Sequence, residues 1–239
     1  MRNAAAFQML DAHIVKPRRE FIVDVTIRVD EGEAVAFFGP TGAGKSTVLS
    51  CIAGLEEPSE GYVRFDGVQF FPPSLPVHKR TVGYLTQHSH LFPHLTVSEN
   101  VRFGVPGDGT AQEHWLAELR ERFQLDAIWL APAQDLSGGQ ARRVSFARML
   151  ARRPQMILLD EPFAGLDRQV VRELIGTLLV WRNEHGFSMI LVDHQEHVLR
   201  KLCPRVLAVE QGRIIQEGAW DQLEARPAST SVAKLLAPL

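Results

Sequence analysis

Residues 39–47 read Gly-Pro-Thr-Gly-Ala-Gly-Lys-Ser-Thr and separate two segments of different periodicity. The apolar run Val35–Phe38 before them predicts a buried strand, and Ser46–Leu55 after them predicts a helix. A strand, a glycine-rich turn ending in Lys-Ser and then a helix form the context that a phosphate-binding loop requires. A plain glycine turn is the alternative, and the joint spacing disfavours it. The motif therefore constrains the chain to an α/β fold that binds phosphate at the end of a strand.

Further apolar runs have the same buried-strand character and alternate with helical patterns, as in a parallel sheet covered by helices. The strand candidates are Val82–Leu85, Met156–Leu159, Met189–Val192 and Val206–Val209, and the helix candidates include Gln140–Ala151 and Val170–Glu184. The stretch up to Asp30 and the segment Gly61–Phe71 instead alternate between apolar and polar residues, and Asp66-Gly67 fits a hairpin turn. We therefore predict a parallel-sheet core of the P-loop NTPase kind with a small antiparallel β subdomain.

Residues 88–151 differ in character, because helix signals and loops replace the strand pattern. Thr96 and Glu99 fit a capping box, and Gln112–Phe123 fits a helix. We predict one domain spanning 1–239, in which 1–87 and 152–224 form the core and the antiparallel subdomain. Residues 88–151 would be an inserted helical subdomain and 225–239 a terminal helix, with no C-terminal regulatory domain.

Composition narrows the functional class. The chain has 239 residues, is 45% hydrophobic and carries a formal net charge of −2. The near-neutral balance argues against direct binding to nucleic acid, which usually requires a marked basic excess. Two cysteines do not make a disulfide framework, and no apolar run reaches the roughly 18–20 residues that span a bilayer. At a membrane, the chain would need a partner to hold it there.

Two adjacent carboxylates, Asp160 and Glu161, follow the predicted strand Met156–Leu159. In an open parallel sheet, ligands bind beyond the carboxyl ends of the strands. We expect Asp160 to hold Mg²⁺ through water, together with the Ser46 hydroxyl, and Glu161 to act as the general base on the attacking water. The alternative is that the pair merely caps a helix beginning at Pro162, a reading that the phosphate loop disfavours.

The segment Leu136–Gln140 reads Leu-Ser-Gly-Gly-Gln at the predicted start of a helix. Ser137 and Gln140 fit a capping box, but a cap does not need two glycines, each of which costs roughly 1 kcal/mol in a helix interior. Glycines there expose N–H groups to an anion. A second anion site on one chain indicates a second nucleotide or a second subunit.

These motifs, together with Gln87, Phe163–Asp167 and His194, resemble in order and spacing the ATP-binding-cassette (ABC) ATPases over roughly residues 7–225. The resemblance implies that two cassettes close head to tail around two ATP molecules, with Mg²⁺. The residues that would bind ATP within one copy are Gly39, Pro40, Thr41, Gly42, Ala43, Gly44, Lys45, Ser46 and Thr47. The residues that would reach the partner's nucleotide are Ser137, Gly138, Gly139 and Gln140, with Asp167 at the subunit boundary. Gln87 would sense Mg²⁺ and water, and His194 would contact the γ-phosphate.

Within that family, three segments are similar to importer cassettes, especially the molybdate and sulfate group: Leu75–Arg80, Val82–Gln87 and Leu91–Asn100. The resemblance implies a permease partner at the cytoplasmic face of the membrane and an extracytoplasmic solute-binding protein. A short permease helix would dock in a socket formed by His88, His90, Leu91, Phe92 and Pro93.

Two departures from the family pattern affect the site. The stretch Val15–Arg19 lacks the aromatic residue that usually stacks on adenine, so Arg18, Arg19, His13 or Phe21 would have to contact the base. This predicts weak discrimination between ATP and GTP. Asp193 also stands where serine or threonine is usual before the histidine, and it places a negative charge near the phosphates.

Several alternatives stay open at this point. An exporter subunit is compatible with the motifs, because the membrane subunit sets the direction of transport. A soluble cassette acting on nucleic acid or ribosomes usually carries long insertions or two cassettes, and a P-loop kinase leaves Leu136–Gln140 unexplained. His88, His90 and His94 could ligate Zn²⁺, although a contact surface is the simpler reading. The arginines following Leu136–Gln140 are most simply a solvated helix face.

Overall fold

The structure is a computed structural model that describes residues 8–105, 107 and 109–236. The strands are β1 Gln8–Pro17, β2 Ile22–Asp30, β3 Ala34–Phe38, β4 Glu60–Phe65, β5 Val68–Phe71, β6 Val82–Leu85, β7 Met156–Asp160, β8 Ser188–Val192, β9 Arg205–Glu210 and β10 Arg213–Ala219. The helices are α1 Lys45–Ala53, α2 Val97–Arg102, α3 Thr110–Arg122, α4 Gly138–Leu150, α5 Arg168–His185, α6 Glu196–Leu202, α7 Trp220–Ala225 and α8 Thr230–Leu236.

The central sheet has six strands in the order β10-β9-β3-β8-β7-β6. All pairs from β9 to β6 are parallel, and every residue of β3 and β8 is buried. Strands buried on both faces tolerate uninterrupted apolar runs, which is why these strands were predictable from the sequence. The five predicted strands and the parallel α/β class are confirmed. The carboxyl ends of β3, β8, β7 and β6 consequently share one edge of the sheet.

A second sheet of four strands, in the order β2-β1-β4-β5, is antiparallel and packs beside α1. Strand β2 alternates strictly between exposed and buried residues, because one face of this sheet meets solvent. Asp66 and Gly67 form the predicted hairpin turn between β4 and β5, with φ of 47° and 74°. The predicted antiparallel sheet is therefore present.

Helices α2, α3 and α4 lie in the chain between β6 and β7. Their apolar residues share one hydrophobic cluster with β7, α5 and α6, which includes Leu119, Phe146 and Leu159. Both predicted capping boxes form, Thr96 with Glu99 and Ser137 with Gln140. This cluster anchors α4, whose first turn carries the glycine pair.

The C-terminal part differs from the sequence expectation. Strand β10, which pairs antiparallel with β9, and helix α7 were not predicted. Within the predicted terminal helix 225–239, the structure has α8, and residues 237–239 lie outside the described part. Strand β10 is mostly half-buried at the sheet edge, so its sequence lacks both the apolar run of a central strand and a clean alternation. Among the described residues, no helix is both long enough and apolar enough to cross a membrane.

Helix α1 is held at its carboxyl end by a buried cation. Arg80 is only 3% exposed, and its guanidinium donates to the backbone carbonyls of Cys51 and Ile52 at 3.0 and 2.7 Å. It also donates to the carbonyls of Leu75 and Phe70, at 2.9 and 3.2 Å. Carbonyls in the last turn of a helix lack their usual intrahelical donor, and the arginine supplies one to Ile52. The carbonyls of Cys51 and Phe70 also accept from the N–H groups of Gly54 and Leu75, so there the arginine is a second donor.

We expect Arg80→Met to lower the free energy of unfolding by about 3 kcal/mol or more, because four carbonyls lose a charged donor that is itself buried. Urea denaturation followed by circular dichroism measures this. The exposed neighbour Lys79 provides the control, and Lys79→Met should change the free energy by less than about 0.5 kcal/mol. Equal unfolding midpoints for the two variants would contradict the assignment.

Candidate functional site

The phosphate loop runs from the end of β3 to the start of α1. Gly39 passes so close to the neighbouring strand that a Cβ atom there would lie 2.0 Å from the Val209 carbonyl oxygen. Gly44 is the N-cap of α1 with φ of 99°, and no side chain caps the helix. The N–H groups of the first turn of α1 are therefore left for a ligand, and the helix dipole favours an anion there.

Lys45 is the first residue of α1 and is only 9% exposed. Its ammonium group donates to the carbonyl oxygens of Gly39 and Pro40, at 2.8 and 2.7 Å. Burial lowers the pKa of Lys45, and the charges of Glu161 and Asp160 oppose that effect. The lysine thus stands folded back over the loop, where it can exchange carbonyl oxygens for the oxygens of a phosphate.

The loop borders a cavity of about 350 Å³. The residues lining it are Arg18, Arg19, Glu20, Phe21, Thr41, Gly42, Gly44, Lys45, Ser46, Thr47, Glu161 and Val192. The phosphate loop, the predicted general base and the β1–β2 turn therefore meet at one concave surface. The segment Leu136–Gln140, Asp167 and His194 do not line it.

The predicted metal residues meet at the edge of the sheet. The Ser46 hydroxyl donates to Asp160 Oδ1 at 3.0 Å, and Asp160 ends β7. A hydroxyl and a carboxylate are oxygen donors of the kind that Mg²⁺ prefers beside phosphates, so these two residues fit that ion. Burial raises the pKa of Asp160, the hydrogen bonds from Ser46 and Tyr84 oppose the rise, and the charge of Glu161 adds to it.

Glu161 has a strained backbone. Its φ is +48°, in a region of backbone conformation that residues other than glycine rarely adopt. The Glu161 N–H donates to the Val192 carbonyl at 2.8 Å. This bond ties the end of β7 to the end of β8 and turns the chain sharply after Asp160. Strain of this kind costs of order 1–3 kcal/mol and concentrates at functional sites. The turn brings the Glu161 side chain into the wall of the cavity.

Asp193 and His194 follow β8 at the same edge and differ in exposure. The Asp193 side chain is fully buried, whereas that of His194 is 64% exposed. Asp193 Oδ1 accepts from the Gln195 N–H at 2.8 Å, and Oδ2 has no hydrogen-bond partner among the described residues. Burial raises the pKa of Asp193, the Gln195 N–H and the charge of His194 oppose that, and the charge of Glu161 adds to it. The γ-phosphate role of His194 stays a prediction.

The stretch Val15–Arg19, where contact with the base is predicted, contains no aromatic residue. Arg18 donates to the Thr47 hydroxyl at 3.0 and 2.7 Å and to both carboxylate oxygens of Glu56. Of the other candidates, Arg19 and Phe21 line the cavity. His13 does not line it and pairs with Asp24 at 3.0 Å. Arg18, Arg19 and Phe21 therefore lie beside the cavity, and His13 is engaged elsewhere.

Comparison with known proteins identifies the family. Residues 22–164 match the ABC transporter family. The chain belongs to this family. The resemblance of its motifs to ATP-binding cassettes is thereby confirmed.

Three curated relatives are import ATP-binding proteins. The Fe(3+) ions import ATP-binding protein of Pseudomonas fluorescens is 36% identical, and the match covers 90% of this chain and 62% of that protein. A molybdate/tungstate protein of Thermococcus kodakarensis is 38% identical over 93% of this chain and 68% of its own. The sulfate/thiosulfate import ATP-binding protein of Brucella melitensis is 37% identical, and the match covers 93% of this chain and 65% of that protein. The chain thus spans about two thirds of the length of these relatives, and less than that for the first and third.

A solved ABC cassette has a similar fold. The dimeric structure of a post-hydrolysis cassette bound to ADP and Pi superposes with a TM-score of 0.76 at 28% identity. The match covers 88% of this chain and 98% of that one. The predicted P-loop NTPase fold, with its parallel and antiparallel sheets, is confirmed.

The first turn of α4 presents the Leu-Ser-Gly-Gly-Gln segment of this cassette at the surface. Ser137 and Gly138 are exposed, and a Cβ atom added to Gly138 would meet nothing within 4 Å. The Ser137 hydroxyl accepts from the Gln140 N–H at 3.3 Å, which leaves its own hydrogen free to donate. Asp167 caps α5, accepting from the N–H groups of Gln169 and Val170 at 2.9 and 3.0 Å. The ligand-binding roles of these residues stay predictions.

Helix α4 also holds the segment after β6, a feature that the sequence reading missed. Arg142 is 2% exposed and donates to the carbonyl oxygens of Thr86, at 2.8 Å, and Gln87. Ser145 and Arg148 donate to the carbonyls of Ser89 and His90 along the same face. Burial lowers the pKa of Arg142 to about 10. The expectation of a solvated arginine face is therefore wrong for Arg142, because the backbone of residues 86–90 covers it.

The Gln87 side chain is exposed, and its role toward Mg²⁺ stays a prediction. His88, His90 and His94 do not form a metal cluster: among the described residues, the one group with ligand atoms close enough for an ion is Glu118, Glu184 and His185. The rings of His88 and His90 instead meet edge to face, 5.8 Å apart.

We expect Arg142→Met to raise the amide exchange rates of residues 86–91 by about 10-fold or more, because charge-assisted bonds to two carbonyls are lost. Hydrogen–deuterium exchange with peptide-level mass spectrometry measures this. Arg143 on the same helix contacts Glu173 and Gln124 instead, so Arg143→Met is the matched control and should leave this segment unchanged. Unaltered exchange in Arg142→Met would disprove the link.

Proposed function

We propose that this chain is the ATP-hydrolysing subunit that powers a membrane permease, most simply an importer of a small solute or oxyanion. The observation that carries the proposal is the meeting of Lys45, Ser46, Asp160 and Glu161 at one cavity edge, while the Leu-Ser-Gly-Gly-Gln turn is exposed elsewhere. The names of the relatives, which import ferric iron, molybdate or tungstate and sulfate, support transport inward.

Residues 39–47 would bind the phosphates of ATP. Backbone N–H groups of the loop and of the first turn of α1 converge on the anion, and Lys45 exchanges its two carbonyl partners for phosphate oxygens. Ser46 and Asp160 would hold Mg²⁺, with Gln87 as a further predicted ligand. The ion supplies neutralisation of the charge that develops on the β- and γ-phosphates.

Glu161 would act as the general base. Its carboxylate accepts a proton from water as the water oxygen attacks the γ-phosphorus, and the bond to the β–γ bridging oxygen breaks to give ADP and phosphate. His194 would donate to the γ-phosphate from the end of β8. Both residues follow neighbouring parallel strands, β7 and β8, and this placement supports a shared phosphate although they come from different parts of the chain.

A second cassette, most simply a copy of this chain, would complete each site. The exposed N–H groups at the start of α4 and the free hydroxyl hydrogen of Ser137 suit an anion brought by a partner. Gly138, Gly139 and Gln140 would share that contact, and Asp167 would lie at the boundary. The similar cassette that is dimeric with ADP and Pi supports this arrangement.

The permease would dock on residues 88–93. We propose that residues 88–151 form a helical subdomain that moves against the core made of 1–87 and 152–224. Because α4 holds the carbonyls of residues 86–90, docking and closure would be coupled. We propose that the subunit works at the cytoplasmic face of the membrane, with a solute-binding protein on the other side and without direct contact to nucleic acid.

We expect Glu161→Gln to lower the ATPase rate by about 10²–10⁴-fold while nucleotide binding persists, because only the proton acceptor is lost. The variant should also form an ATP-dependent dimer. Phosphate release and size-exclusion chromatography with Mg-ATP measure the two effects. The control is Glu60→Gln, an exposed change on β4 outside the cavity, which should keep the wild-type rate. A monomeric Glu161→Gln variant in saturating ATP would refute the two-copy site.

We also expect ATP and GTP to bind with dissociation constants within about 5-fold of each other, because no aromatic from Val15–Arg19 stacks on the base. A stacked aromatic is typically worth about 1–3 kcal/mol. Competition against a fluorescent ADP measures the two constants. Inorganic tripolyphosphate provides the base-free reference, and it should compete nearly as well as GTP. A preference for ATP above about 50-fold would contradict this.

A further inference from the structure

The Tyr84 hydroxyl lies against the carboxylate that the proposed function assigns to Mg²⁺. Tyr84 is in β6, beside Leu158 of β7 in the parallel register. Its hydroxyl donates to Asp160 Oδ2 at 3.3 Å, while Oδ1 accepts from Ser46 at 3.0 Å. The two oxygens of Asp160 are thus occupied by different donors, of which only Ser46 belongs to the phosphate loop.

The Tyr84 hydroxyl remains a neutral donor at physiological pH. Burial raises its pKa to about 12, the Ser50 side chain opposes the rise, and the Asp160 carboxylate adds to it. Ser50 lies on α1, the helix that begins at the phosphate loop. The Tyr84 hydroxyl therefore connects β6 to the end of β7.

We propose that Tyr84 is a positioning residue for the Mg²⁺ site: its hydroxyl fixes the rotation of the Asp160 carboxylate so that Oδ1 faces Ser46 and the ion. The inference rests on the proposed function, because it assumes that Ser46 and Asp160 hold Mg²⁺. A carboxylate held at one oxygen loses less rotational freedom when the other oxygen engages a cation. Partners of this kind typically change metal affinity by 10–100-fold.

The second tyrosine of the chain provides a matched control. The chain has two tyrosines, and the Tyr62 hydroxyl also donates to an aspartate, Asp11, at 3.1 Å. That pair lies in the antiparallel sheet, between β4 and β1, and does not line the nucleotide cavity. Tyr62→Phe and Tyr84→Phe therefore remove the same group from the same kind of partner at two different places.

The first test measures ADP affinity in Mg²⁺ and in EDTA. We expect Tyr84→Phe to weaken binding in Mg²⁺ by about 10-fold and to leave binding in EDTA unchanged. Tyr62→Phe should change neither. Equal losses with and without Mg²⁺ would show a structural role for Tyr84 and overturn the proposal. The proposal is also overturned if ADP affinity in the wild type depends on Mg²⁺ and Tyr84→Phe has the same affinities as the wild type. That result would leave the proposed function intact.

The second test observes the wild-type chain and needs only one folded variant, because the chain has two tyrosines and either substitution assigns both resonances. Labelling with 3-fluorotyrosine should give two ¹⁹F resonances, assigned by Tyr62→Phe and Tyr84→Phe. Adding Mg²⁺ to the ADP complex should shift the Tyr84 resonance and leave that of Tyr62 in place. A Tyr84 resonance indifferent to Mg²⁺ overturns the positioning role. If ADP affinity in the wild type is also indifferent to Mg²⁺, the Mg²⁺ assignment in the proposed function fails with it.

Discussion

The hydrogen bond between Ser46 and Asp160 joins two segments that are 114 positions apart in the chain, and the site depends on it. It forms because β3 and β7 flank β8 in one parallel sheet, so that all three strands end at the same edge. Reversing or shifting one strand by a single residue would point its terminal side chains to the wrong face. Buried apolar strands therefore fix the register, and the register places the polar groups.

Helix α4 connects the exposed glycine turn at its start to the segment that follows β6. This helix begins at the exposed glycine turn and, one to three turns later, its buried Arg142 and its Ser145 and Arg148 hold the carbonyls of residues 86–90. A displacement of α4 moves both its first turn and the segment after β6, because several hydrogen bonds would have to break for them to separate. One rigid element thus links the surface proposed for the second cassette to the surface proposed for the permease.

Sequence reasoning located the strands and loops because their signals are local. A buried strand such as β8 needs only a short apolar run, and the capping box at Ser137 and Gln140 is set by neighbours three residues apart. The roles of Arg80 and Arg142 were not predictable, because each is defined by carbonyls far away in the sequence. Charged residues at helical spacing indicate solvent exposure unless a loop covers them, and periodicity carries no information about such a loop. Edge strand β10 was missed because neither of the two strand patterns applies to it.

The charge distribution at the sheet edge suits the proposed binding of a metal-bound polyanion better than the binding of either ion alone. Burial raises the pKa of Asp160 and of Asp193, and the charge of Glu161 adds to both shifts. Desolvation is the largest cause of both shifts, and the Lys45 ammonium, whose own pKa is lowered by burial, opposes the rise at Asp160. A free triphosphate would bring further negative charge to these carboxylates, whereas a divalent cation held by Ser46 and Asp160 would offset the charge of both the carboxylates and the phosphates. In the proposed site, the loop and the carboxylates would consequently bind the phosphate and the cation as a pair.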